Sequence, residues 1–254
     1  MAELRAIDRV DTGPRFSSAD VTRLNERFDR AAPADMLRAV LKEGLAGRTA
    51  IVSSFGAESA VLLHMVAVVD AAVPVLFLDT GKHFAETLAY RDTLTARLGL
   101  RDVRSLSPET TDLAGRDAAG ERWSYDPDGC CDLRKVRPLA RAVHGFDATI
   151  SGRKAFQSAT RVALPRFEID TTDGAARLKI NPLAHWSKAD LDAYFLAHDL
   201  PRHPLEAQGY LSIGCAPCTV TVAPGDDARA GRWRGWDKVE CGIHGAPGGA
   251  DATA

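Results

Sequence analysis

Five cysteines are the residues of this chain with the most distinctive chemistry. Four form two close pairs, Cys130 with Cys131 and Cys215 with Cys218, and the fifth, Cys241, stands alone near the C-terminus. Because five is an odd number, a framework of disulfides would leave one thiol unpaired. The pattern therefore divides the cysteines into a group of four, suited to a metal or a cluster, and one separate thiol.

Four thiolates suit either a zinc ion or an iron–sulfur cluster. The adjacent pair favours the cluster, because two neighbouring side chains turn onto one tetrahedral zinc with difficulty, whereas on a cubane they can bind two different irons. We predict a [4Fe–4S] cluster held by Cys130, Cys131, Cys215 and Cys218. The alternative is a set of buried free cysteines.

The fifth cysteine lies in a segment rich in glycine and arginine. Gly242 and His244 follow Cys241, and Arg229 and Arg232 precede it. Nearby positive charges favour the thiolate, which is the nucleophilic form of cysteine. We predict that Cys241 is a nucleophile on a mobile segment that closes over a bound substrate. The alternative is an incidental cysteine in the tail.

Composition limits the classes of protein to consider. The 254 residues are 45% hydrophobic and 26% charged, with a formal net charge of -2, which predicts a cytoplasmic protein without nucleic-acid or membrane partners. The first residues lack the apolar stretch of a secretory signal. The most apolar stretch, 60–78, contains His64, Asp70 and Pro74, so a buried helix and strand are expected there. The oligomeric state stays open, a homo-oligomer included.

Predicted strands and helices alternate through the middle of the chain. The strands are expected at 49–54, 73–80, 102–106 and 147–152, and the helices at 57–69, 84–98 and 132–143. This alternation predicts an α/β fold with a mainly parallel twisted sheet and helices on both faces. Ligands of such sheets bind beyond the carboxyl ends of the strands.

Other elements complete the predicted organisation. A helical stretch at 17–43 is interrupted at Pro33, and a capped helix is expected at 187–199. Between them, residues 166–170 and 177–181 are expected to form either a short hairpin or edge strands. The predicted domains are an N-terminal helical segment, a nucleotide- and cluster-binding α/β domain and a mobile C-terminal tail with the nucleophilic cysteine. Their bounds are 1–47, 48–224 and 225–254.

Two loops at neighbouring strand ends favour a nucleotide site. In SSFGAES, residues 53–59, small residues allow close approach of an anion to a helix N-terminus, and serines add hydroxyl donors, although the Walker pattern is missing. In LDTGKHF, residues 78–84, Asp79 and Thr80 are placed to contact a ribose or adenine. The alternative for each loop is a tight turn with a helix cap.

Basic residues gather near the same predicted edge. Arg134 and Lys135 come after the first cysteine pair, and Arg153, Lys154 and Arg161 follow the fourth strand. Since the whole chain is slightly acidic, this concentration predicts a site for a compact anion. A solvated loop is the alternative.

Five ordered motifs together resemble the assimilatory adenylyl-sulfate reductases, relatives of the phosphoadenylyl-sulfate reductases. The motifs are SSFGAES, LDTG, DPDGCC with LRKVRPL, GYLSIGCAPCT and ECGIH, and they cover about residues 48–244. The resemblance implies a fold of the adenine-nucleotide alpha-hydrolase kind, akin to ATP pyrophosphatases, with a modified phosphate loop. It also implies reduction of adenylyl sulfate to sulfite and AMP, with thioredoxin as reductant and an S-sulfocysteine intermediate.

The resemblance assigns roles to individual residues. It implies nucleotide contacts at Ser53, Ser54, Phe55, Gly56, Asp79, Thr80 and Gly81. It gives Cys241 the role of nucleophile with His244 nearby, and the four paired cysteines the role of cluster ligands. Lys135 would link cluster and substrate, and Arg229 and Arg232 would engage the phosphosulfate.

Two segments depart from the family pattern. Arg153 and Lys154 stand where the family more commonly has a pair of arginines, which leaves their expected substrate contacts less defined. Lys82 and His83 replace the more usual apolar residues after LDTG, and the sequence offers no interpretation of them.

Three other functions compete with this interpretation. The first is reduction of the 3′-phosphorylated substrate. The second is an ATP pyrophosphatase such as a tRNA sulfurtransferase, since one fold supports many functions. The third is an iron–sulfur sensor or a zinc-stabilised binding module, which would leave Cys241 and the nucleotide loops without a role.

Overall fold

A six-stranded sheet forms the centre of the molecule. The computed structural model describes residues 15–158, 161–171, 176–223 and 225–243. The strands are β1 (Thr49–Ser53), β2 (Val75–Leu78), β3 (Val103–Leu106), β4 (Ala148–Ser151), β5 (Phe167–Asp170) and β6 (Arg177–Ile180). Their order is β3-β2-β1-β4-β6-β5, with β5 antiparallel to β6 and the other pairs parallel. The predicted mainly parallel sheet is confirmed, and β5 with β6 forms the expected antiparallel pair.

Helices cover both faces of this sheet. They are α1 (Ser18–Phe28), α2 (Pro33–Leu41), α3 (Ser59–Asp70), α4 (Ala85–Leu98), α5 (Thr110–Arg116), α6 (Pro127–Cys131), α7 (Arg137–Val143) and α8 (Lys188–Ala197). On one face, Ala50 and Leu76 pack with Val143 of α7. On the other, Ile51 and Phe77 enter the main core with apolar side chains of α1 to α4 and α8. Alternate residues of β1 and β2 therefore face opposite layers of helix, and the predicted helices on both faces are confirmed.

Local sequence signals set several helix ends. The side chains of Ser17 and Ser187 accept hydrogen bonds from the third residues of α1 and α8 in capping boxes. Pro33 occupies the first turn of α2, so the helical stretch predicted at 17–43 is two helices. Gly99 ends α4 in the left-handed conformation. The short helix α5 was not predicted.

The helix predicted at 132–143 has a different form. After α6, residues Asp132–Val136 form a π-helical stretch, and α7 continues from it. Wide turns of this kind are rare and concentrate at functional sites. Here the stretch carries Arg134 and Lys135, both of which are buried.

The N-terminal helices pack onto the sheet. Asn25 of α1 bonds both backbone groups of Phe167, donating to its oxygen at 2.9 Å and accepting from its nitrogen at 3.0 Å. These bonds satisfy backbone groups of the edge strand β5 that no neighbouring strand would reach. Within the described ranges, no helix is long and apolar enough to cross a membrane.

Candidate active site

A cavity of about 230 Å³ opens beyond the carboxyl ends of β1 and β4. The loops after these strands line it, together with the π-helical stretch, the turn at the second cysteine pair and the C-terminal segment. The predicted site residues that it brings together are Ser53, Ser54, Gly56, Lys135, Arg153, Lys154, Cys215, Arg229, Arg232 and Cys241. The sheet edge expected to bind ligand therefore carries most of the predicted site.

In the loop after β1, residues 53–59, one predicted site residue does not face the cavity. Phe55 is fully buried and packs edge-to-face on Phe77, with 5.6 Å between ring centroids, so its side chain does not line the cavity. Its φ of 47° is a left-handed conformation that bulky residues rarely adopt. The ring anchors the loop in the core while Ser53, Ser54 and Gly56 face the cavity. The N-terminus of α3 follows at Ser59 and offers an anion-binding end.

The loop after β2, residues 78–84, contacts the second cysteine pair more than it lines the cavity. Asp79 accepts a hydrogen bond from the backbone nitrogen of Gly81 at 3.0 Å, and neither residue lines the cavity. Thr80 is fully buried, with its hydroxyl 3.3 Å from the sulfur of Cys215. Leu78 and His83 line the cavity instead. Asp79, Thr80 and Gly81 thus lie outside the cavity lining, and their nucleotide contacts stay a prediction.

The residues after LDTG, which the sequence left without interpretation, join neighbouring loops. Lys82 donates from its ammonium group to the backbone oxygen of Gly120 and accepts from the nitrogen of Ala216 at its own backbone oxygen, 2.7 Å away. The Nε2 atom of His83 lies 2.8 Å from the backbone oxygen of Leu78. The pair thus connects the second loop to the turn that holds Cys215.

Two cavity cations already have carboxylate partners. The ammonium group of Lys154 lies 2.6 Å from Glu58, and Arg153 forms an ion pair with Glu168. Burial lowers the pKa of Lys154, and the charge of Glu58 opposes that shift. Glu58 was not predicted as a site residue, because its partner lies 96 positions away in the sequence. Its position inside the SSFGAES motif was the sequence feature that could have identified it as a site residue.

A different group of cations surrounds an indole ring. Trp233 is 3% exposed. The distances from its ring centroid to the charged groups are 4.5 Å for Arg232, 5.5 Å for Lys238, 5.8 Å for Arg229 and 6.0 Å for Lys135. The face of an aromatic ring attracts cations. Trp233 therefore holds several positive side chains together at the cavity, a role that sequence reasoning missed.

These cations create a site that favours an anion. Burial and repulsion by Arg229 lower the pKa of Arg232, whose Nε atom is buried and has no hydrogen-bond partner among the described residues. A bound anion would compensate both the burial and the repulsion. The predicted anion contacts of Arg229 and Arg232 are compatible with this arrangement.

The two cysteine pairs lie near each other. Cys130 and Cys131 end α6, while Cys215 and Cys218 flank a short helical turn, and all four thiols are free. Burial and the neighbouring thiols raise the pKa of Cys130 to about 11. Among the residues that the structure describes, no group of three or more His, Cys, Asp or Glu is arranged to hold a metal ion. The four thiols lie close together without being arranged around a single ion.

Lys135 lies between the two cysteine pairs and the fifth cysteine. Burial opposes its charge, but the thiols of Cys215, Cys241 and Cys131 outweigh that effect and raise the pKa of Lys135. Cys241 lines the cavity together with Ile243. His244, predicted as an active-site residue, lies outside the described residues.

Sequence comparison places this cavity in a known class of nucleotide-using enzymes. The family model described as phosphoadenosine phosphosulfate reductase domain matches residues 48–221, and the chain belongs to this family. It is 48% identical to an adenosine 5′-phosphosulfate reductase of Mesorhizobium japonicum, over 96% of this chain and 94% of the relative. An enzyme of the same name from Deinococcus radiodurans is 44% identical over 75% of this chain and 74% of its own. The chain is therefore an enzyme, and the predicted family is confirmed.

Solved structures agree with this assignment. A phosphoadenylyl-sulfate reductase from Candida auris, in a phosphate complex, matches with a TM-score of 0.69 and 25% identity, over 82% of this chain and 100% of that one. An FMN adenylyltransferase of Candida glabrata matches with a TM-score of 0.54 and 15% identity, over 81% and 68%. The second likeness concerns the fold alone and supports the predicted adenine-nucleotide alpha-hydrolase-like architecture.

Proposed function

We propose that this enzyme reduces adenylyl sulfate to sulfite and AMP in assimilatory sulfate reduction. The observation that carries the proposal is the meeting of Cys241 with Lys135, Arg229 and Arg232 in one cavity at the ends of β1 and β4. A thiol surrounded by cations suits attack on a negatively charged sulfate group. The names of the curated relatives support the same reaction.

The proposed chemistry uses one thiol of the enzyme. The thiolate of Cys241 attacks the sulfur of adenylyl sulfate, the bond from sulfur to the phosphate oxygen breaks, and AMP leaves with that oxygen. The product on the enzyme is an S-sulfocysteine. A thioredoxin thiolate then attacks the Cys241 sulfur and sulfite leaves; the second thioredoxin thiol resolves the mixed disulfide and restores Cys241.

The cations of the cavity have an electrostatic role in this reaction. A thiolate and a sulfate group repel each other, and the positive charge of Lys135, Arg229 and Arg232 offsets that repulsion. Lys135 is buried, so solvent screens its charge less than that of an exposed side chain. We also propose that the end of the described segment, which carries Cys241, moves to admit the substrate and that Ser53, Ser54 and Gly56 bind its nucleotide part.

The charge balance of the cavity supports adenylyl sulfate over its 3′-phosphorylated form. Glu58 pairs with Lys154, and Glu168 pairs with Arg153, so these two cations are already compensated. Among the described residues, Lys135 and Arg232 have no carboxylate partner, and this remaining positive charge lies beside Trp233, where one phosphosulfate group would be bound. The alternative is reduction of the 3′-phosphorylated substrate, favoured by the likeness to the Candida auris enzyme.

We propose that Cys130, Cys131, Cys215 and Cys218 bind a [4Fe–4S] cluster. Four free thiols on two anchored turns, with the buried Lys135 beside them, suit such a group. The arrangement is less suited to zinc, because the adjacent side chains of Cys130 and Cys131 turn onto one tetrahedral ion with difficulty. When bound, the cluster supplies a fixed charged group next to Lys135, and thioredoxin provides both electrons of the reaction.

Thioredoxin-dependent activity tests the proposed function. The purified enzyme is mixed with adenylyl sulfate and reduced thioredoxin, sulfite release is measured, and iron is assayed in the same preparation. We expect sulfite release that requires both reactants, together with about four iron atoms per chain. Turnover only with the 3′-phosphorylated nucleotide would favour the alternative substrate. Release of pyrophosphate from ATP would contradict both assignments. We further expect the enzyme to be cytoplasmic.

A further inference from the structure

The segment around Cys241 contacts the rest of the molecule on both sides of this residue. Glu240 precedes it directly, and Ile243 follows two positions later. Both side chains reach elements that belong to the α/β fold. We refer to these two contacts together as the clamp.

The first contact is polar. A single oxygen of Glu240 accepts hydrogen bonds from Arg161, at 2.8 Å from its Nε and 2.6 Å from its terminal nitrogen. The other oxygen lies 3.2 Å from Arg229, which also donates to the backbone oxygen of Val239 at 2.6 Å. Arg161 is itself oriented by Gln157, which accepts from it at 2.8 Å. Charge-assisted bonds of this kind are stronger than neutral ones, and the low exposure of Arg161 reduces screening by solvent.

The second contact is made by the half-buried Ile243, which lines a small second cavity on the sheet face covered by α7. The aliphatic residues of this cavity are Val52, Val136, Leu139, Ala140 and Val143, and its polar residues are Thr149, Ser151, Asp170, Arg177 and Lys179. Gly242 makes the turn into this cavity, with a φ of 85°. A Cβ at that position would lie 3.4 Å from a methyl group of Val136. Glycine is thus suited to the conformation and to the close approach.

We propose that Glu240 and Ile243 are positioning residues that hold the Cys241 thiol at the mouth of the substrate cavity. Cys241 lies between the two contacts, so loss of either one allows the thiol to leave the cavity. The catalytic part of this inference rests on the proposed function. The positioning part does not, because it concerns where the segment lies before substrate binds.

The test measures access to the thiol in the holoenzyme. Cys241 is alkylated with iodoacetamide and, separately, with a maleimide on a large polyethylene glycol, and the tryptic peptide that begins at Val239 is quantified by mass spectrometry. The ratio of the two rates reports access and cancels changes in intrinsic thiol reactivity. We expect Ile243→Ser to raise the ratio of bulky to small alkylation about tenfold, the order of magnitude supplied by burying one aliphatic side chain.

Further variants distinguish loss of the clamp from a general loss of folded structure. Ile243→Leu is expected to restore the ratio to within about twofold, since it keeps the apolar volume. Glu240→Gln is expected to raise the ratio about threefold, because it keeps the shape and loses the charge. Leu196→Ser, at an aliphatic side chain that is 85% exposed on α8, is the matched control and should leave the ratio unchanged.

Catalytic measurements complete the test. AMP affinity of Ile243→Ser should stay within about twofold, while its single-turnover rate of S-sulfocysteine formation falls about tenfold. Unchanged alkylation ratios in both Ile243→Ser and Glu240→Gln would overturn the clamp. Raised ratios without any sulfite chemistry in the unaltered enzyme would support the clamp and contradict the proposed function, so the two failures are distinguishable.

Discussion

The paired cysteines and the fifth cysteine are held in different ways. Cys130 and Cys131 end a helix whose first turn is capped by Asp126, at 2.8 Å from the nitrogen of Gly129. The turn of the second pair is fixed by backbone bonds, including one from Trp233 to Cys218 at 3.0 Å. Cys241, in contrast, lies in a segment without helix or strand. The fixed position of the paired cysteines suits them to hold a cofactor, whereas the irregular segment around Cys241 suits this cysteine to move.

Lys135 connects the two regions. It sits in a π-helical stretch directly after the first pair, and the thiols of both regions influence its pKa. A substitution in one region is therefore expected to affect the other through this side chain. Substitutions in each region show how far the two regions are separable.

The largest effect is expected at the nucleophile. Cys241→Ser should lower sulfite release by at least about 10⁴-fold, because a hydroxyl cannot replace the thiolate. Iron content and AMP affinity should stay as in the unaltered enzyme, since the paired cysteines are untouched. Turnover assays, iron analysis and equilibrium binding check this. Retained turnover would show that Cys241 is not the nucleophile.

A smaller loss of activity, with loss of iron, is expected in the paired region. Cys131→Ser should lose most of its bound iron and about 10²-fold in turnover, because one cluster ligand is missing and Lys135 loses its neighbour. Iron analysis and the visible absorption spectrum measure the first effect. A variant with full iron content and full turnover would refute the cluster assignment.

The cation group around Trp233 gives an intermediate effect. Trp233→Leu should lower kcat/KM about tenfold, since the cations lose the ring that holds them together. Trp236→Leu is the matched control, because Trp236 is 44% exposed. Steady-state kinetics on both variants decide the matter. Equal losses in the two would remove Trp233 from the anion site.

The smallest effect concerns substrate choice. Glu58→Gln leaves Lys154 without its charged partner, so the preference for adenylyl sulfate over the 3′-phosphorylated form should fall about threefold. The ratio of kcat/KM values for the two nucleotides measures this change, with Glu43→Gln as an exposed control. An unchanged ratio would show that the Glu58 pair does not contribute to the preference.

The sheet was more predictable from the sequence than the contacts of its site. Apolar runs located β1 and β2, because strands buried on both faces need such runs. The alternation of strands with helices located β3 and β4. The burial of Phe55 and the pairs Glu58 with Lys154 and Glu240 with Arg161 were not predictable in this way. They join positions far apart in the chain, and they depend on how the sheet brings loops together.

The π-helical stretch was only partly indicated by the sequence. Residues 132–143 contain Pro138, which interrupts the regular hydrogen bonds of a helix, but a proline does not specify a π-helical turn. The burial of Lys135 depends on tertiary packing against the second cysteine pair and Trp233. The sequence shows which residues are basic, but local patterns do not predict which of them become buried.

The atom that receives the sulfo group distinguishes Cys241 from the paired cysteines most directly. Enzyme freed of reductant is incubated with adenylyl sulfate, and the peptides are examined by mass spectrometry. We expect a mass gain of one SO₃ group on the peptide that contains Cys241, removed by reduced thioredoxin and absent from Cys241→Ser. An SO₃ adduct on any of the four paired cysteines, or one that persists in Cys241→Ser, would contradict this expectation.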